Sequence, residues 1–150
     1  MMPAKKDPAT LKRLDLRARI RELEATLLQL PQQDIEIRHQ FSGGMYARSM
    51  LAPAGSLITG EIYKKAHYVA LAFGRVTVVT ETEGAQHFKA PAMWAAPAGT
   101  KRVILVLEDT LWTTIVATEA LTPEEAMADV TVKSFEDLED IWQAYYRLLG

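Results

Sequence analysis

GSLITGEIYKKAHYVALAFG, running from Gly55 to Gly74, reads as short strands set between glycine corners. Glycine reaches backbone conformations closed to other residues, so it lets a strand change direction sharply. Along a strand, side chains alternate between faces. Glu61 and Tyr63, two residues apart, are therefore expected on one face, the interior of a barrel.

The same texture extends outward from about Asp34 to Thr118. Candidate strands are 34–40, 45–52, 56–63, 67–72, 75–81, 85–90, 92–96, 102–108 and 111–118. Turn residues lie between them at Ser42-Gly43-Gly44, Pro53-Ala54-Gly55, Phe73-Gly74, Glu83-Gly84, Pro97-Ala98-Gly99 and Glu108-Asp109. Short strands at this regular spacing point to a sandwich or barrel rather than a βαβ sheet. The expected fold class is mainly β: an antiparallel β-barrel of jelly-roll type, residues 34–118, between an N-terminal helical arm, 1–33, and a C-terminal helical extension, 119–150.

In the arm, Asp7 suits a helix cap, Pro8 the first helical position, and Pro31 a stop. Leu16, Ile20, Leu23, Leu27 and Leu30 follow heptad spacing, which makes them candidates for an oligomer interface or a short coiled coil. The same stripe would also serve to pack the arm on its own barrel. In the extension, Thr122-Pro123-Glu124-Glu125 reads as a capping box, and Ser134 as the cap of a last helix. Leu138, Ile141, Trp142, Tyr145 and Leu149 share one face of that helix.

The chain has 150 residues, 49% of them apolar and 24% charged, a composition ordinary for a globular domain. It has no cysteine, which excludes disulfides, thiolate nucleophiles and thiolate metal sites. The N-terminus, MMPAKKDPATLKR, has no apolar signal core, and no apolar run approaches the ~18 residues of a membrane span. Net charge is −2, distributed as +3 over 1–33, +1 over 34–118 and −6 over 119–150. A basic head and an acidic tail favour head-to-tail contacts between subunits, although two solvated helices would carry the same pattern. Basic charge is too thin and too mixed with acid for nucleic acid to be an expected partner, and no membrane partner is expected. There is no phosphate-binding glycine loop and no serine elbow.

Gly55 to Gly74 resembles the first cupin motif: Gly, five residues, His-x-His, three or four residues, Glu, six residues, Gly. Spacing is complete, but Glu61, Tyr63 and His67 stand where that motif has its two histidines and its glutamate. Pro97-Ala98-Gly99 resembles the core of the second motif, with Arg102 at its histidine and Pro91 in place of its opening glycine. The resemblance implies that these positions converge inside the barrel. Arg102 cannot ligate a cation and would repel one. No cofactor and no metal is expected, and Glu61 and Arg102 are expected to form an ion pair where a metal would sit.

A broader likeness covers about residues 16–118. Tyr46-Ala47-Arg48, Pro53-Ala54-Gly55, Gly99-Thr100-Lys101-Arg102 and Glu108-Asp109-Thr110-Leu111-Trp112-Thr113-Thr114 resemble recurring elements of small cupin-like proteins of tailed bacteriophages and prophages. Relatives usually carry His at the positions of Tyr63 and Val116. The likeness implies a non-catalytic structural or assembly protein, located in the virion, with itself and other phage structural proteins as partners. An alternative is a cupin binding a small ligand or glycan, with Glu61, Tyr63, His67, Trp94 and Arg102 as pocket candidates. A metal-dependent cupin enzyme would need a histidine-rich site that this chain lacks. His67 also suits a core histidine with a hydrogen-bond partner, and Trp94 and Trp112 suit core packing. His39 and His87 fall in separate strands, and Glu108-Asp109-Thr110 reads as a hairpin turn.

Overall fold

The computed structural model describes Pro8, residues 17–22, 25–26 and 29, 34–81 and 83–133. Asp7, Leu16, Leu23, Leu27, Leu30, Pro31 and the expected last helix from Ser134 lie outside the described residues. Nine strands follow in order: β1 Glu36–Ser42, β2 Met45–Ala52, β3 Leu57–Thr59, β4 Ile62–Tyr63, β5 His67–Thr80, β6 Gly84–Lys89, β7 Ala92–Ala96, β8 Arg102–Ala117 and β9 Thr131–Val132. A helix, Pro123–Val130, precedes β9. All pairings are antiparallel.

The scaffold rests on the two longest strands. The first part of β5 pairs with β7 and with the later part of β8, which continues through β2 to β1. The second part of β5 pairs with β6 and with the early part of β8, which also holds β3. Each long strand thus serves both faces of the barrel. Between the faces lies a core of Met50, Val69, Leu71, Val76, Val78, Ile104, Val106 and Trp112.

Two expected turns are corrected by this arrangement. Phe73-Gly74 does not separate two strands, and Glu108-Asp109 is not a hairpin. Both fall where β5 and β8 cross and bend together, with register shifts at Leu71/Phe73, Phe73/Arg75 and Arg75/Val76. The bend needs backbone freedom and close approach, the same properties that make glycine a turn residue. Gly74 has φ +106°, and a Cβ there would lie 2.6 Å from Thr110 Cα and 2.7 Å from the Asp109 carbonyl oxygen. The Asp109 carboxylate accepts a hydrogen bond from Ala54 N at 2.8 Å, and Glu108 pairs with Arg75 at 3.3 Å. The expected strand 56–63 is also divided, into β3 and β4, by an irregular Gly60-Glu61.

The N-cap half of the expected capping box is present: Thr122 is the N-cap, and its side chain accepts from Glu125 N. The helix buries Ala126 and Val130 with Tyr46, Tyr63 and Val116, which closes one side of the barrel. Its chain then returns as β9, paired with β4. Of the heptad stripe, Ile20 is described, in the helical stretch 17–22, and it is 3% exposed within a single chain. Arg17 in that stretch makes a two-pronged ion pair with the buried Glu81, at 2.9 and 3.1 Å. This part of the arm is tied to its own barrel. No described helix is long and apolar enough to cross a membrane.

Candidate functional site

Strand register brings three inward-facing rows together. Tyr46, Arg48 and Met50 alternate on β2, opposite Val116, Thr114 and Trp112 of β8. β4 brings in Tyr63 beside them, and the start of β8 brings in Arg102. Arg48, Met50, Tyr63, Arg102, Trp112 and Thr114, with Glu61 at the rim, line a cavity of about 190 Å³, while Tyr46 and Val116 pack against Tyr63 beside it. Its remaining wall is largely apolar, including Ile35, Ile37, Ile58 and Ile104.

Arg102 is the deepest charge, 5% exposed. Its Nη2 donates to His67 Nε2 at 2.7 Å, and its guanidinium lies 5.8 Å from the centre of the Trp112 ring. His67 Nδ1 is 2.9 Å from the Lys65 carbonyl oxygen. A guanidinium only donates and a carbonyl only accepts, so Nδ1 carries the ring proton and Nε2 accepts. Burial, with the Arg102 charge acting in the same direction, lowers the His67 pKa to about 4. Burial also lowers that of Arg102, to about 10, so it remains a cation at neutral pH. Burial raises the Tyr63 pKa, with the charge of nearby Arg48 as the largest opposing influence. The Tyr63 and His67 rings are in contact, with centroids 4.4 Å apart.

The motif positions therefore converge in part. Tyr63, His67 and Arg102 form one cluster, and Tyr63 and Arg102 line the cavity. His67 stands behind Arg102 as its hydrogen-bond partner. Trp94 stacks on Phe88 at 3.8 Å and meets Trp112 edge-on at 5.5 Å, so it buttresses a lining residue and is not one itself. The expected Glu61–Arg102 ion pair is corrected. Glu61 is exposed on the rim, and among the described residues Arg102 has no carboxylate partner. The break at Gly60-Glu61 interrupts strand alternation, so Glu61 stands at the exposed rim of the cavity while Tyr63 is buried in its wall.

Arg48, Thr114 and Trp112 were missing from the sequence-derived pocket. The signal available for Arg48 was its phase. It alternates with Tyr46 and Met50, so an arginine sits on the apolar, inward side of a strand. Thr114 Oγ1 accepts from Trp112 Nε1 at 3.2 Å, and the same hydroxyl is hydrogen-bonded to that of Tyr63.

Many cupins hold a metal at these positions, and this donor set does not fit one. One imidazole, with its Nε2 lone pair already taken by a guanidinium, is joined by a phenol held in its protonated form by burial and by a cation. Among the described residues no group of three or more His, Cys, Asp or Glu side chains converges. His39 and His87 serve locally, bonded to the Tyr46 and Thr77 hydroxyls at 2.6 and 2.8 Å.

No protein-family model and no curated protein sequence matches the chain. Solved structures do. KdgF from Halomonas sp. is 15% identical, with a TM-score of 0.51 over 61% of this chain and 87% of that one. A conserved protein with a double-stranded β-helix domain from Klebsiella pneumoniae is 12% identical, with a TM-score of 0.51 over 63% of this chain and 80% of that one. An RmlC-like cupin family protein with a double-stranded β-helix fold, from Methanocaldococcus jannaschii, is 12% identical, with a TM-score of 0.49 over 65% and 90%. With β5 and β8 bent across both faces of an antiparallel barrel, the chain has the cupin, or double-stranded β-helix, fold.

Proposed function

We propose that this protein is a non-catalytic, metal-free cupin that binds a small molecule inside its barrel. The observation that carries this reading is the cavity: apolar walls with a few convergent polar groups, Arg48, Tyr63, Arg102 and Thr114, presented from three strands, β2, β4 and the two halves of β8. Burying an arginine costs stability unless something pairs with it. A barrel serving only as a rigid body would have no use for two inward-facing cations. The test is native mass spectrometry of the full chain recovered from cell extract, beside Thr114→Phe, which fills the cavity. A small molecule retained by the wild type and absent from the variant supports the reading. Equal, empty spectra would refute it.

A second reading is an assembly role in a bacteriophage particle, as the motif likeness implies. The outer surface offers support. Tyr68 and Met93 stand two register positions apart, diagonal neighbours on the outward side of the β5–β7 pair, 52% and 66% exposed. Leu57 and Leu105, paired across β3 and β8, are also exposed. Exposed apolar pairs of this kind favour self-association. Light scattering at micromolar concentration discriminates: an oligomer, or the chain recovered from purified phage particles, supports it, and a monomer counts against it. Deleting residues 1–31 then tests whether the arm contributes to the contact.

A further inference from the structure

Resting on the small-molecule reading above, we infer that the cavity binds a small organic monocarboxylate, its head between Arg48 and Arg102 and its carbon body against the isoleucine and tryptophan wall. Two guanidinium groups line one small space, and among the described residues neither is paired with a carboxylate. Arg102 is 95% removed from solvent and donates to a neutral imidazole; the charge of Glu83 favours its cation, but no carboxylate among the described residues is within hydrogen-bonding reach of it. Such a cation calls for an anion from outside the chain, and planar guanidinium matches planar carboxylate through paired N–H donors. The Tyr63 hydroxyl, kept protonated by burial and hydrogen-bonded to Thr114, adds a neutral donor beside the cations.

The wall decides between an organic and an inorganic anion. Ile35, Ile37, Met50, Ile58, Ile104 and Trp112 offer nothing to phosphate or sulfate, which would leave them in contact with water. They suit a short hydrocarbon body. Size follows from the volume. At ~30 Å³ of liquid per water molecule, the cavity holds the equivalent of about six waters, so the ligand has roughly six to eight non-hydrogen atoms. Glu61 on the rim adds a charge condition: a second carboxylate at the far end of the ligand would meet a like charge, so one negative charge is preferred over two.

The experiment is titration calorimetry on the full chain with butyrate and lactate, against succinate, inorganic phosphate and the neutral polyol erythritol, in a chloride-poor buffer. Wild type is expected to bind butyrate or lactate, with succinate weaker and with no binding of erythritol or phosphate. Arg48→Gln is expected to weaken the monocarboxylates about tenfold or more, as loss of a charge-assisted bond should. Arg48 is half-buried on a strand, so circular dichroism and a urea midpoint close to wild type check that this variant folds. Arg48→Lys, keeping the charge without the fork, should recover part of the affinity. Binding of erythritol without the carboxylates would overturn the carboxylate assignment and leave a small-molecule pocket. Phosphate binding as tight as butyrate, or succinate tighter than butyrate, would overturn the organic monocarboxylate. No binding of any probe by a folded wild type, with empty native mass spectra, would overturn both readings together.

Discussion

Replacing Arg102 with methionine separates the stability of the barrel from the use of its cavity. Burial lowers the Arg102 pKa well below the ordinary arginine value, to about 10. At about 1.4 kcal/mol per pKa unit, holding the charged form inside the fold costs on the order of 3 kcal/mol at pH 7. Arg102→Met removes that cost and keeps a long side chain at the site. It also leaves His67 Nε2 buried without a donor, which costs about 1–3 kcal/mol. The two effects nearly cancel, so the single variant is expected within about 1.5 kcal/mol of wild type, in either direction. Arg102→Met combined with His67→Leu removes the stranded acceptor as well and is expected to exceed wild-type stability by about 1–3 kcal/mol. Equilibrium urea unfolding at pH 7 measures both, with an unchanged m-value as the check on comparability. Carboxylate binding should be lost in both. This combination, stability kept or gained while binding vanishes, marks a residue retained for function at the expense of the fold. A loss above about 3 kcal/mol in the single variant would show instead that the guanidinium is held by a strong internal partner, and the ion-pair picture would have to return.

Gly74→Ala should cost at least about 3 kcal/mol, because its positive φ is unfavourable for alanine and the new methyl meets the β8 backbone at Thr110 and Asp109; a urea midpoint near wild type would refute the bend. His67 gives a pH signature. Its folded pKa, about 4, lies below the unfolded 6.5, so between those values the unfolded chain takes up a proton that the folded chain refuses. Stability on this account is complete above pH 6.5 and falls as pH drops toward 4, by at most about 1.4 kcal/mol per unit. Unfolding curves for wild type and His67→Gln should therefore converge as pH is lowered through that window, and parallel curves would contradict the neutral, Arg102-bonded ring. Elemental analysis of the purified chain is expected to find well under one zinc, iron or manganese per molecule; about one would refute the reading of the donor set.

The barrel was legible in the sequence because each short strand carries its own alternation and its own turn residues. β2 and β7 fall at their expected bounds, 45–52 and 92–96. The errors have one source. Phe73-Gly74 and Glu108-Asp109 have the local chemistry of turns, and a window of a few residues cannot tell a reversal of the chain from a bulge where two strands bend across each other. What distinguishes them is the partner, Thr110 pressed against Gly74, which lies far along the chain. The site divides in the same way. Tyr63, His67 and Arg102 could be found because motif spacing is a local property. Arg48, Trp112 and Thr114 enter the cavity through the register between β2 and β8, which no local window contains. Glu61 shows the converse. Its spacing is complete, yet one irregular pair, Gly60-Glu61, shifts it from the interior to the rim and out of reach of Arg102. With that carboxylate displaced, Arg102 keeps a neutral imidazole as its hydrogen-bond partner and the more distant charge of Glu83, and the cavity beside it is where a carboxylate in direct contact can enter.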